Sequence, residues 1–292
     1  MDSKLLIESA AIPTGAAAVV AALLMWITRR RPDAGLAVRL GVLIAPMAYL
    51  TGHLNRFPSP DWSNWQAVDA WQWLAPGVAV MALAGIVGAV WNRVWLRLAL
   101  RTLVIAGFAA ISLQSFIRYT WTPTEAMSWI AGIAIGGTVW WQLVETAGRS
   151  GKTQWFALQW LIVAVGSGAI FLLSQSARLL EMTMMLGAGI GVSLVLQAIG
   201  RRQLAAGLYG VAPFVMLGLW LNGYFYADMA WWRVVAPAIA PLAGTVAGMC
   251  VGARRRSWLN GMVGAIACAA VMAGAVIAAK LTETPNPYGG GY

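Results

Sequence analysis

The sequence predicts an all-α integral membrane protein: a bundle of about ten transmembrane helices, N-out/C-out. Three observations predict it. Of the 292 residues, 60% are hydrophobic and only 10% charged, against roughly 25% charged in soluble domains. Apolar runs matching the ~20 helical residues that cross a hydrocarbon core recur along the whole chain. The basic residues between them gather in alternate loops.

Ten runs meet the length requirement, at residues 9–28, 37–55, 73–92, 97–117, 125–145, 154–175, 180–200, 203–223, 233–253 and 257–279. They must be helices, because backbone amides in lipid have to be satisfied within the segment. The roughly ten-residue alternation of a membrane barrel strand is absent. The first run is expected to stay in the protein rather than be cleaved. Acids accompany Lys4 before it and Arg29-Arg30-Arg31 follows it, the reverse of a secretory signal. After the second run, Ser59-Pro60-Asp61 is expected to start a short helix lying flat at the surface through Trp62, Trp65 and Val68. Thr122-Pro123-Thr124-Glu125 reads as a capping box with proline at the first helical position, opening the fifth run. Residues 1–281 thus form one polytopic domain, and the Pro- and Gly-rich segment 282–292 is expected to be a flexible tail.

The loops after odd-numbered runs hold fourteen basic residues: Arg29, Arg30, Arg31, Arg39, Arg93, Arg97, Arg101, Arg149, Lys152, Arg201, Arg202, Arg254, Arg255 and Arg256. The other face holds Lys4, Arg56, Arg118, Arg178, Arg233 and Lys280, with eight of the ten acids. By the positive-inside rule the first set is cytoplasmic. The net charge of +10 therefore belongs to membrane orientation, and no contiguous basic domain remains for nucleic acid. Tryptophan repeats the pattern. Trp62, Trp65, Trp71, Trp73, Trp121, Trp129, Trp220, Trp231 and Trp232 fall near the outer interface, and Trp26, Trp91, Trp95, Trp140, Trp141, Trp155 and Trp258 near the inner one, where indoles anchor. Only Trp160 falls well inside a run.

No Asp, Glu, Lys or Arg falls near the middle of any run, which argues against a proton pump or voltage sensor. His53 is the only histidine, and Cys250 and Cys268 lie within apolar runs. Multi-histidine metal sites, two-histidine haem ligation and zinc knuckles are therefore not expected, and neither is any cofactor. Phosphate-loop, HExxH and GxSxG patterns are absent, so no enzyme is predicted.

The polar residues concentrate where even-numbered runs end: Thr51, His53, Asn55 and Arg56; Ser112, Gln114, Ser115 and Arg118; Ser174, Gln175, Ser176 and Arg178; Asn222, Tyr224, Tyr226 and Asp228. All four ends sit at one outer depth. As neighbours they would line an outward-facing vestibule whose arginines suit an anionic or carboxylate-bearing ligand. As separate helix C-termini they would only cap carbonyls and offset the macrodipole. The ninth run repeats small residues at Ala236, Ala240, Gly244, Gly248 and Gly252, a face for close helix packing. Pro237 and Pro241 beside it point to a kink, of the kind a gating helix uses. Gly132/Gly136 and Gly187/Gly191 are shorter small-residue pairs, and Pro46, Pro76 and Pro213 isolated breaks.

Ten spans allow a 5+5 inverted repeat, although only Ala75-Pro76 and Ala212-Pro213 match between the halves. In length and helix count alone the chain is similar to the drug/metabolite transporter superfamily. No motif carries that likeness, and the outward N-terminus departs from the family's usual orientation. Two functions fit these features: a small permease or transporter-like protein with the vestibule, or a non-catalytic subunit or scaffold that uses its Trp-rich loops and small-residue faces to meet membrane partners. Seventeen Arg against three Lys with heavy Ala and Gly use points to a bacterial inner membrane.

Overall fold

The computed structural model describes residues 7–30, 40–58, 62–63, 68–91, 93–150, 155–199, 211–250 and 257–282. Among these the chain is helical with no strand, in ten long helices: α1 Ile12–Arg30, α2 Ile44–Arg56, α3 Leu74–Trp91, α4 Val94–Ser112, α5 Pro123–Ser150, α6 Phe156–Leu173, α7 Ala177–Ala198, α8 Ala212–Tyr226, α9 Trp231–Cys250 and α10 Ser257–Leu281. A π-helical turn, Ile7–Ala11, precedes α1; a 3-10 turn, Ala70–Trp73, leads into α3; and a six-residue helix, Gln114–Tyr119, follows α4. The helices follow the apolar runs in order.

Eight stretches are long and apolar enough to cross a membrane: Ile7–Arg29, Ala70–Val87, Val94–Ser112, Pro123–Thr146, Phe156–Leu173, Ala177–Ala198, Trp231–Cys250 and Leu259–Leu281. The sequence predicts ten. The difference lies in α2 and α8, which have 13 and 15 described residues, short of the ~20 a straight crossing needs. Proline explains where α2 begins. Pro46 has no N–H for the Val42 carbonyl, and the chain turns at residues 42–43 before the helix resumes at Ile44. Pro76 and Pro213 likewise stand in the first turns of α3 and α8, where a missing donor costs nothing. These three prolines open helices rather than break them. Most of the basic loops, the flat helix from Ser59 except Trp62, Ser63 and Val68, and the tail beyond Thr282 lie outside the described residues.

A ring of α2, α7, α6, α10, α9, α5, α4 and α3 surrounds α8, with α1 packed outside on α2 and α7. Helix α8 fills the centre: Phe214, Val215, Met216, Leu219 and Trp220 are all buried. The outward faces of the ring carry large apolar side chains too, such as Leu103, Ile135, Val165, Val246 and Ile277. A surface as apolar as the core calls for lipid around it.

Contacts place the helix ends. Arg56 at the end of α2 reaches Glu8 before α1 and Glu181 near the start of α7, while Tyr226 at the end of α8 meets Ser112 at the end of α4. Arg233 at the start of α9 bonds Ser174 after α6 and Thr282 after α10. These ends share one side of the bundle, the outer end in the predicted orientation.

Glycines set the tightest crossings. A Cβ on Gly244 would lie 2.6 Å from the Gly264 carbonyl, one on Gly248 2.7 Å from that of Asn260, and one on Gly264 2.6 Å from that of Gly244, so α9 and α10 touch backbone to backbone. Similarly, a Cβ on Gly189 of α7 would lie 2.8 Å from Cα of Ala45 in α2. Gly132, Gly136, Gly187 and Gly191 have nothing within 4 Å of such a Cβ, so among the described residues the two shorter pairs make no close helix crossing.

Helix α6 ends in a paired cap: Ser176 N–H donates to Phe171 O at 2.9 Å and Gln175 N–H to Leu172 O at 3.0 Å, with Gln175 at φ 58°. That conformation favours glycine. Gln175→Gly is therefore expected to raise stability by about 1 kcal/mol, read as a higher melting temperature in mild detergent.

The aromatic belts need correction. Trp141, Trp160 and Trp220 are fully buried, and Trp140 stands 5.4 Å from Trp220 and 6.2 Å from Trp160, edge to face. Trp140 and Trp220, assigned to opposite interfaces, thus meet inside the bundle. Their N–H groups are satisfied there, as buried indoles require: Trp220 Nε1 donates to Ser167 Oγ at 3.2 Å, and Trp140 Nε1 to Ala238 O at 2.8 Å. Ala238 lies in the turn of α9 that Pro241 disturbs, so Trp140 supplies a donor to a carbonyl of the weakened turn.

Candidate functional site

Helix α4 stops at Ser112 although its apolar run continues, and no proline intervenes. The cause is tertiary. Tyr226 Oη donates to the Ser112 carbonyl at 2.5 Å and shares a 2.9 Å bond with Ser115 Oγ. This takes up the carbonyl that the next helical turn would use. The chain restarts as Gln114–Tyr119, which presents Gln114, Ser115 and Arg118 on one wall of a cleft of about 250 Å³.

The opposite wall is Val68, Asp69 and Ala70. A local cap holds it: Asp69 N–H donates to Gln72 Oε1 at 3.1 Å, Gln72 N–H donates to Asp69 O at 3.0 Å, and Trp71 Nε1 donates to Asp69 Oδ2 at 3.1 Å. Tyr226, Tyr119 and Ser112 complete the lining. The cleft gathers a guanidinium, a carboxylate, an amide and hydroxyls at this end of the bundle, groups able to hydrogen-bond a small polar molecule.

The predicted vestibule is thus divided. Gln114, Ser115 and Arg118 line the cleft; Arg178 reaches its rim, 4.5 Å over the Trp71 ring and 4.0 Å from Asp69 Oδ2. Both partners of that ion pair are well exposed, so it contributes little. Arg56 is engaged elsewhere. It grips Glu181 through Nε at 2.8 Å and Nη2 at 3.1 Å, and Glu8 through Nη1 at 3.2 Å, tying α1, α2 and α7 together. His53 is buried among Tyr49, Phe57 and Trp71, while Asn55 and Gln175 are exposed. Asn222 is buried, with Nδ2 donating to its own helix at Gly218 O, 2.8 Å away. Tyr224 packs on Phe225 and Trp129. The α6 end is held by Arg233, whose Nη1 donates to Ser174 Oγ at 2.9 Å. Pro237, Pro241, Gly244 and Gly248 are buried in α9, away from these outer ends.

The sequence reading missed Asp69. Its signal was the Asp69-x-x-Gln72 spacing of a cap before an apolar run. Also missed was a buried charge cluster at the other end of the bundle. There Arg101 pairs with Glu145, donates to Gln142 Oε1 at 3.2 Å and lies 4.5 Å over Trp141, with Arg97 at 3.7 Å from Glu145. Arg101 stands two turns inside α4, hidden in a stretch that reads as an interfacial loop. Among the described residues, no three His, Cys, Asp or Glu side chains converge as metal ligands. Cys268 is buried and Cys250 exposed.

With eight helices long and apolar enough to cross a membrane, the chain is a membrane-embedded, multi-pass helical protein. Compared with known proteins, it matches no family model, no curated protein and no solved structure.

Proposed function

We propose that this protein is a small permease-like protein of a bacterial inner membrane, with ten crossings and both ends outside, which takes up a small carboxylate-bearing solute through the cleft between α4 and α8. The observation that carries this reading is the convergence of Arg118, Gln114, Ser115 and Tyr226 on one cleft at the outer end. Arg118 supplies the bidentate carboxylate partner. The helix beside the cleft supports movement, since α4 is interrupted there; α9, which packs on α8 away from the cleft, carries Pro237 and Pro241. Interrupted helices are what transporters place at their sites.

A 5+5 inverted repeat fits the packing. Under such a repeat α2 answers to α7 and α3 to α8, and both pairs pack antiparallel: Ala45 at Gly189 and Arg56 at Glu181, Leu74 at Gly218 and Phe214 at Gly77. Ala75-Pro76 and Ala212-Pro213 then open equivalent helices.

Arg118→Ala is expected to lower uptake of the responsive solute into proteoliposomes roughly tenfold or more, the loss of one charge-assisted contact, with an unchanged folded amount. The measurement uses a panel of radiolabelled mono- and dicarboxylates and amino acids. Unchanged uptake in both Arg118→Ala and Gln114→Ala removes the cleft from the reading. The second reading, a non-catalytic scaffold subunit, is favoured by the packed centre, where Trp140, Trp160 and Trp220 interlock around α8. It requires that the protein extracted in mild detergent travel with a defined second polypeptide.

A further inference from the structure

The cleft between α4 and α8 carries charges of both signs, the Arg118 guanidinium on one wall and the Asp69 carboxylate on the other. Asp69 is fixed in place because it caps the turn that leads into α3. Trp71 Nε1 and Arg178 both meet it at Oδ2, at 3.1 and 4.0 Å. A carboxylate has about four acceptor positions, so after these partners and the capping N–H of Gln72 it can still take a donor. The Arg178 contact is long and its two side chains are 53% and 64% exposed, so an ammonium displaces it at little cost. The hydroxyls add a second acceptor. Tyr226 has one proton, and it goes to the Ser112 carbonyl, which can only accept. The 2.9 Å bond between Tyr226 Oη and Ser115 Oγ must therefore carry the Ser115 proton, which leaves Ser115 in the cleft wall with lone pairs only.

Each simpler charge class leaves one wall unserved. A monocarboxylate pairs with Arg118 but gives Asp69 and Ser115 nothing to accept. A dicarboxylate sets a second anion against Asp69, and like charges brought together are penalised. An amine lacks the anion that Arg118 takes. We infer, resting on the uptake proposed for this cleft, that its solutes are amino acid zwitterions, with the carboxylate on Arg118 and the ammonium on Asp69 and Ser115. Both walls border the same small volume, so one short solute reaches both. At about 250 Å³ the cleft lies below the roughly 300–1,000 Å³ of sites for drug-sized ligands, which suits a single amino acid rather than a longer peptide.

The test places the whole protein in proteoliposomes and follows radiolabelled pairs that differ only in ammonium against hydroxyl: alanine and lactate, phenylalanine and phenyllactate, aspartate and malate. In whichever pair enters, the amino acid is expected to be taken up about tenfold or more faster, the worth of one charge-assisted contact. Asp69→Asn keeps a capping side chain and removes the charge. It is expected to slow the amino acid about tenfold and leave its hydroxy acid unchanged, so the gap closes, whereas Arg118→Ala slows both. Equal or faster entry of the hydroxy acid in the native protein overturns the inference; if Arg118→Ala still slows that entry, carboxylate uptake through the cleft survives it. A native preference that Asp69→Asn does not reduce also overturns it, since the ammonium is then read elsewhere. Should Asp69→Asn not fold, the native comparison within the pairs decides. Entry of no member of any pair overturns both the zwitterion and the proposed uptake.

Discussion

Arg101→Ala is expected to destabilise the folded protein by about 3 kcal/mol, because it strands a buried carboxylate. The Arg101 and Glu145 side chains are only 8% and 4% exposed. Arg101 joins α4 to α5 through Glu145 and Gln142 and covers Trp141. The seam continues one step deeper in the Thr102–Thr138 hydroxyl pair at 3.1 Å. Without the guanidinium, Glu145 still has Arg97 at 3.7 Å, which offsets part of the loss. Replacing both partners with neutral side chains, Arg101→Met with Glu145→Gln, removes the stranded charge and is expected to recover most of the stability. Thermal unfolding in mild detergent reads both variants. A single mutant that melts with the parent protein would show that α4 and α5 are not held this way.

Gly244→Leu is expected to cost about 3 kcal/mol or more, since its first added atom meets the α10 backbone, which has no rotamer to yield. The Gly264 carbonyl would lie 2.6 Å from that atom. The matched control is Gly132→Leu, where nothing stands within 4 Å, and a change within about 0.5 kcal/mol is expected. Folded yield after detergent extraction separates the two. Equal losses would mean that α9 and α10 do not cross at Gly244.

How much of this was legible beforehand differs by feature. The start of α5 was readable in full: Thr122 N–H donates to Glu125 Oε2 at 2.8 Å and Glu125 N–H to Thr122 Oγ1 at 3.3 Å, as the Thr-Pro-Thr-Glu spacing predicts. The small-residue face of α9 was readable, because spacing by four repeats on one side of a helix. Its partner was not, since α10 meets it through Gly264, which no long stripe announces. The outer polar ends were readable one by one, but not that Arg56 would be occupied by Glu8 and Glu181 while Arg118 would line a cleft with Asp69. Those residues are 48, 125 and 49 positions apart, and only packing joins them.

By itself the sequence determined the solvent of this chain and the order of its apolar helices, because the free energy of placing a residue in lipid is largely local and sums along a segment. Which helix lies at the centre was decided by tertiary structure alone. Lipid tails are as apolar as leucine, so hydrophobicity cannot distinguish α8, enclosed by protein, from helices that face the bilayer. Close-fitting glycines, interlocked indoles and a few buried polar contacts select the neighbours instead, and they also choose which polar ends meet.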